Sequence, residues 1–248
     1  NSATVLSHTG RRSAATTSRE RGGEAMARQL SCRVPMAPLD FVPPPRLHEP
    51  APSFQANSTH GPRSLEDYAG RWLVLFSPPA DFTPVCTTEF LALARAASAF
   101  DALGCALLGL SVDSVFSHIA WLRDIRARFG VEVPFPVLDD SARRVATAYG
   151  MIHPAASDTS TVRGTFFIDP DGMIRAMQYY PMTTGRSIDE MLRLVAAMRT
   201  TEELRVATPA DWRPGDPVVL AAPDTITAAG TDEGAWYLRH TSSRSEPR

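Results

Sequence analysis

The residue best equipped for chemistry is Cys86. It sits in the run Ser77-Pro78-Pro79-Ala80-Asp81-Phe82-Thr83-Pro84-Val85-Cys86-Thr87-Thr88-Glu89, between an apolar strand pattern and an Ala/Leu-rich helical one. Thr83 is a natural N-cap and Pro84 a natural first helical residue, so Cys86 falls at the third helical position. There its sulfur faces main-chain N–H groups that have no intrahelical acceptor, and the positive end of the helix dipole. Both favour a thiolate over a thiol. A free cysteine is otherwise a small apolar core residue, and Cys105, at the start of an apolar run, is read that way. Other polar groups fit ordinary structural roles. Asp139-Asp140 and Asp169/Asp171 stand where caps and turns need carboxylates, and His118 lies among apolar helical neighbours as a structural histidine.

Composition removes most rival chemistries. The chain has 248 residues, 44% of them apolar, and a net charge of −2 from 25 basic and 27 acidic residues, so it carries no electrostatic footprint for nucleic acid or an anionic membrane. Every basic residue is Arg, which excludes Schiff-base lysines and the phosphate-cradling G-x-x-x-x-G-K-[ST] loop. Cys32, Cys86 and Cys105 form no C-x-x-C pair, and the histidines show no zinc spacing. No metal or other cofactor is implied. Three cysteines also suit a reducing compartment better than a disulfide scaffold.

The elements that must position Cys86 follow from periodicity. The patterns predict a strand Trp72–Ser77, a helix Pro84–Asp101, a strand Ala106–Val112, and a helix Ser114–Phe129 with Phe116, Ile119, Ala120, Leu122 and Ile125 on its apolar side. A short strand around Phe135–Leu138 and a helix Ala142–Tyr149 come next. Two β-rich runs, Thr165–Asp169 and Met173–Tyr180, are then joined across Pro170-Asp171-Gly172. A helix Ile188–Arg199 starts from Ser187 with Glu190 three residues on, a capping box. The most apolar window, Phe90 to Leu110, is interrupted by Arg95, Asp101 and Gly104 and reads as two soluble elements, not a membrane span. The order suits an α/β sheet layered by helices. Residues 1–46, Arg/Ser-rich and then Pro-rich, are expected to be a disordered extension, 47–204 the folded domain, and 205–248 a C-terminal arm. A cytoplasmic location is expected, with an organellar leader in the extension as the alternative.

The run Pro79-x-x-x-Thr83-x-x-Cys86 resembles the P-x-x-x-T-x-x-C signature of the peroxiredoxins, the thiol peroxidases. The resemblance continues through Ala51-Pro52-Ser53-Phe54, Leu110-Ser111-Val112-Asp113-Ser114 and Arg163-Gly164-Thr165-Phe166-Phe167-Ile168-Asp169. It extends to Tyr180-Pro181, Gly185-Arg186-Ser187 and Val206-Ala207-Thr208-Pro209-Ala210-Asp211-Trp212, about residues 47–240 in all. The last segment, and the absence of a later cysteine, is most similar to the one-cysteine group. This implies a thioredoxin-like sheet flanked by helices with an extended C-terminal arm. It also implies peroxide reduction, with Cys86 as nucleophile, the Thr83 hydroxyl and Cys86 N–H holding the peroxide, and Arg163 stabilising the thiolate and the transition state. Pro79 then shields the pocket, and Glu89 and Arg186 fix Arg163 and the substrate. Such members dimerise through the arm, and Trp212, Trp236 and Tyr237 are the expected anchors.

Two departures stand out. Pro78 occupies a position where the family commonly has His or Tyr, so any side-chain donor there is lost. The phospholipase motif of some one-cysteine members has no serine counterpart in Tyr68-Ala69-Gly70-Arg71-Trp72, so that activity is not expected. Attack on a peroxide leaves Cys86 as a sulfenic acid that another thiol must resolve. With Cys32 in the extension and Cys105 in a strand, the expected resolver is external: a small thiol, glutaredoxin or thioredoxin. The expected substrates are hydrogen peroxide and small organic hydroperoxides. The alternative is a peroxide sensor or an oxidation-triggered holdase chaperone.

Overall fold

The computed structural model describes residues 43–157, 159–230 and 234–243. The extension up to residue 42, including Cys32, lies outside them. Two small strands, β1 (Gln55–Ala56) and β2 (Arg63–Ser64), form a hairpin ahead of a five-stranded sheet. That sheet is built from β3 (Trp72–Phe76), β4 (Cys105–Ser111), β5 (Val137–Asp139), β6 (Arg163–Ile168) and β7 (Ile174–Tyr180). Its order is β5-β4-β3-β6-β7, with β3, β4 and β5 parallel and β6 and β7 antiparallel to their neighbours. Helices α1 (Pro84–Ala102), α2 (Val115–Phe129) and α4 (Ile188–Leu204) are long, whereas α3 (Arg144–Ala148) spans little more than one turn.

The central strand explains the layering. All five residues of β3 are buried, as a strand covered on both faces must be. Alternation sends Trp72, Val74 and Phe76 into one cluster with Phe90 and Leu93 of α1, Trp121 of α2 and Val195 of α4. Leu73 and Leu75 point the other way, onto Leu108, Val145, Tyr149 and Phe54. The parallel β3–α1–β4 unit therefore delivers the start of α1 to the carboxyl end of the sheet, where side chains from several strands converge.

Element boundaries differ from the sequence expectations by a few residues, but the faces of α2 differ more. The structure buries His118, Trp121 and Ile125 and leaves Phe116 79% and Ile119 41% exposed. The buried stripe runs i, i+3, i+7 from a histidine whose ring atoms find polar partners, an arrangement that an apolar-only pattern passes over. Helix α4 runs on through Thr200-Thr201 to Leu204. An Arg199–Glu203 pair of 2.7 Å and the Thr201 hydroxyl bonded to the Met198 carbonyl support its last turns. At its start the Ser187 hydroxyl accepts from the Glu190 N–H, but the Glu190 carboxylate is engaged by Arg193 and does not close the box. The carboxylates assigned to caps and turns are found there: Asp140 accepts from the Val145 and Ala146 N–H groups, and Asp169 from Asp171 and Met173.

In the C-terminal segment, β8 (Val218–Val219) pairs with β9 (His240–Thr241), and α5 (Ile226–Ala229) lies between them. Trp212 corrects an expectation. It is 2% exposed and packs with Ala196 and Ala197 of α4 and with Val218, while its indole N–H donates to the Asp216 carbonyl. Its ring fills a pocket of its own chain and is not an exposed anchor. Trp236 and Tyr237 are exposed, their rings edge to face at 5.8 Å. No helix among the described residues is long and apolar enough to cross a membrane.

Candidate active site

The loop from β3 to α1 is stitched to the start of β6 before it turns. Ser77 exchanges main-chain and hydroxyl hydrogen bonds with Gly164 and Val162, and the Pro78 carbonyl accepts from the Thr161 hydroxyl at 3.1 Å. Pro78 and Pro79 are both buried. Helix α1 then starts where the sequence places it, with Thr83 extended (φ −96°, ψ 148°) at the N-cap and Pro84 in its first turn. The cap differs in one respect. The Thr83 hydroxyl does not accept from the helix but donates to the Ala80 carbonyl at 2.8 Å. Its proton is committed and its lone pairs are not. The first-turn N–H groups, that of Cys86 included, receive no side-chain acceptor from the cap.

Cys86 and Glu89 stand three residues apart on α1, hence on one face. Arg163, at the first position of β6, spans the two: Nη1 is 3.4 Å from the Cys86 sulfur and 2.7 Å from Glu89 Oε2. Its Nε and Nη2 donate to the Met182 carbonyl at 3.1 and 2.6 Å. Arg186 follows β7 and closes the cluster from the far side. Its main-chain N–H and Nε donate to Glu89 Oε1, its Nη2 to Oε2, and its Nη1 to the Gly164 carbonyl. The Arg186 guanidinium lies 5.3 Å from the centre of the Phe76 ring. The single Glu89 carboxylate thus takes the Arg186 guanidinium in a fork and one nitrogen of Arg163, whose own fork closes on the Met182 carbonyl.

The charge sum in this dry cluster decides its chemistry. Two guanidiniums and one carboxylate leave one positive charge uncompensated among residues that are all buried. An isolated buried charge is costly. The group that Arg163 sets against this charge is the Cys86 sulfur. The residue is 0% exposed.

The structure brings Cys86, Glu89, Arg163 and Arg186 into direct contact and sets Pro79 and Thr83 on the loop that enters α1. Sequence reasoning missed the Met182 carbonyl that anchors Arg163, because a main-chain acceptor leaves no residue-type signal. It also missed the full burial of the sulfur. Cys105, 2% exposed, lies on the same side of the sheet but at the opposite end, paired with Trp72, the first residue of β3. Burial pushes its thiol up to about 12, against weaker opposing pulls from Arg71 and Arg199.

Residues 47–177 match the AhpC/TSA family, and residues 197–231 match the C-terminal domain of 1-Cys peroxiredoxin. Among curated proteins, a peroxiredoxin of Aquifex aeolicus is 56% identical over 71% of this chain and 80% of its own length. A peroxiredoxin 2 of Thermoplasma acidophilum is 47% identical over 78% and 98%. Among solved structures, a cysteine-to-serine mutant of the peroxiredoxin 6 of Arenicola marina superposes with a TM-score of 0.73 at 35% identity, covering 82% of this chain and all of that one. A yeast mitochondrial 1-Cys peroxiredoxin, described with a thiol resolving mechanism via glutathione/thioredoxin systems, gives 0.73 at 38% identity, covering 80% and 99%. The thioredoxin-like sheet and the one-cysteine C-terminal segment thus have the same origin as these relatives: the chain belongs to the peroxiredoxin family and is a thiol peroxidase of the one-cysteine type.

Proposed function

We propose that this peroxidase reduces hydrogen peroxide and small organic hydroperoxides through Cys86, and that an external thiol completes the cycle. The observation that carries the reading is the Arg163 guanidinium 3.4 Å from the Cys86 sulfur in a cluster otherwise one positive charge in excess. The Cys86 thiolate attacks the nearer peroxide oxygen, the O–O bond breaks, and the departing alkoxide or hydroxide takes a proton. The peroxide O–H donates to the Thr83 oxygen, whose own proton is held by Ala80, and the Cys86 N–H donates to the peroxide. Arg163 and Arg186 stabilise the negative charge that develops on the leaving oxygen. Pro79 and the surrounding apolar side chains keep bulk water out, which strengthens each of these contacts.

The product is a sulfenic acid on Cys86. One external thiol condenses with it, releasing water and leaving a mixed disulfide. A second thiol displaces Cys86 and departs as a disulfide, so one hydroperoxide consumes two thiols. Cys105 cannot act as resolver within the fold: β3 and β4 are parallel, and the length of β3, about 13 Å at the usual rise per residue, separates its level in the sheet from that of the α1 start. The yeast relative resolved through glutathione and thioredoxin systems supports a small thiol, glutaredoxin or thioredoxin as reductant. The buried sulfur must become accessible first, so resolution requires the first turn of α1 to open. Exposed Trp236 and Tyr237 support a homodimer or higher assembly through the C-terminal segment, and the cysteine usage supports a cytoplasmic location.

The test is peroxide consumption by the wild type and by Cys86→Ser, each supplied with glutathione, glutaredoxin or thioredoxin. Sustained turnover with at least one reductant, lost in Cys86→Ser, is expected. A Cys32–Cys86 disulfide found by mass spectrometry after stoichiometric peroxide would overturn the external-thiol reading.

A further inference from the structure

Asp81 lies two residues before Thr83, and its side chain turns inward, 2% exposed. Its Oδ2 is 2.8 Å from Nδ1 of His118, a fully buried residue of α2. His118 Nε2 is 3.1 Å from the Leu138 carbonyl of β5. A carbonyl oxygen only accepts, so Nε2 carries a proton. The 2.8 Å contact requires a second proton between Nδ1 and Oδ2, since two lone pairs would otherwise face each other. Histidine and carboxyl are thus joined by a buried hydrogen bond that ties the loop to α2 and β5. Asp81 Oδ1 is buried with no partner among the described residues, so the carboxyl is anchored through His118.

The backbone just past Asp81 needs such an anchor. Phe82 has φ +54°, in the left-handed region that an aromatic residue rarely adopts, and such backbone persists only where its surroundings hold it. The Asp81 N–H donates to Asp113 Oδ2 at 2.8 Å, and the Asp81 carboxyl grips His118. One residue beyond Phe82, the Thr83 hydroxyl bonds back to Ala80. The direction of that hydroxyl is set inside a loop whose inward side-chain tether is the Asp81–His118 bond.

We propose that His118 is a positioning residue for peroxide reduction, holding the Ala80–Thr83 loop through Asp81 so that the Thr83 oxygen meets the bound peroxide. This rests on the reading of Thr83 as the peroxide's acceptor. Two substitutions separate the halves of the clamp. His118→Asn puts an amide nitrogen near the place of Nδ1 and keeps a donor for Asp81. His118→Gln puts it near the place of Nε2, serves Leu138 and abandons Asp81. The second-order rate of Cys86 oxidation by hydrogen peroxide is expected to stay within about threefold of wild type in His118→Asn and to fall about tenfold or more in His118→Gln. Alkylation of Cys86 by iodoacetamide, which has no use for Thr83, is expected not to fall in either. Asp81→Ala removes the same bond from the loop side and should match His118→Gln, which keeps the test alive if that variant does not fold. Equal peroxide rates in the Asn and Gln variants, or peroxide and alkylation rates falling together, overturn the proposal. Thr83→Val tells the two readings apart: if it leaves the peroxide rate unchanged, the role of Thr83 fails; if it is slow while His118→Gln is fast, only the role of His118 fails.

Discussion

The described part of the molecule contains two cysteines of nearly equal burial and opposite character. Cys86 and Cys105 are 0% and 2% exposed and belong to the same apolar cluster on one side of the sheet. Cys105 opens β4, and burial drives its thiol up to about 12 against the weaker pulls of Arg71 and Arg199. Cys86 stands in the first turn of α1 with a guanidinium nitrogen at 3.4 Å and unclaimed N–H groups beside it. Burial alone therefore does not decide whether a cysteine reacts. What separates the two is the guanidinium held against the Cys86 sulfur by Glu89 and Met182, a contact that weakens little where water is excluded.

Exchanging the sulfurs one at a time puts this contrast under the greatest strain. Cys86→Ser is expected to lower peroxidase turnover by about 1,000-fold or more, while Cys105→Ser stays within about twofold, both read by peroxide consumption with a saturating thiol. Next in size is the cation. Arg163→Met is expected to slow peroxide reaction roughly 100-fold, and Arg163→Lys about tenfold, because a lysine keeps charge but cannot fork across Cys86, Glu89 and Met182 together. Stopped-flow fluorescence measures both, and a Lys variant slower than Met would contradict the ordering. Glu89→Ala removes the shared acceptor of both guanidiniums, and thermal or urea unfolding should show a loss of about 3 kcal/mol.

A smaller effect comes from Cys105 itself. Its folded thiol titrates near 12 while the unfolded chain's titrates near the ordinary 9.0, so the unfolded state releases its proton first as pH rises. The stabilisation is complete below about pH 9 and is lost progressively from there toward pH 12. Cys105→Ala should therefore lose less stability over that window than the wild type, whatever its stability at pH 7, as urea titrations at several pH values will show. The smallest expected change is at Pro78, which offers its carbonyl to Thr161 but no side-chain donor. Pro78→His is expected to shift the peroxide rate by about two- to fivefold, and unchanged kinetic parameters would dismiss any role for that side chain.

The features legible in the sequence are the local ones. Thr83-Pro84 announces a helix start with Cys86 in its first turn, and the apolar run Trp72–Ser77 announces the strand before it. Arg163 and Arg186 were reachable only through family resemblance, since an arginine beside a strand looks like any other until the chain is folded. The Met182 carbonyl, the inward turn of Asp81 onto His118 and the withdrawal of Trp212 into its own chain were not legible. Each depends on a contact between segments well separated along the chain, and none leaves a periodic or compositional trace. The same applies to α2, where a buried polar His118 displaced Phe116 from the inner face.

The proposed function makes Cys86 the peroxide-reactive sulfur by its environment and not by its residue type. Peptide mapping by mass spectrometry after one equivalent of hydrogen peroxide at neutral pH, with a dimedone-type trap present to capture sulfenic acid, puts this to the test. The trap adduct is predicted on Cys86 within the first seconds, with Cys105 still reduced. A reduced Cys86, or an adduct on Cys105 at comparable yield in the folded protein, would refute the assignment.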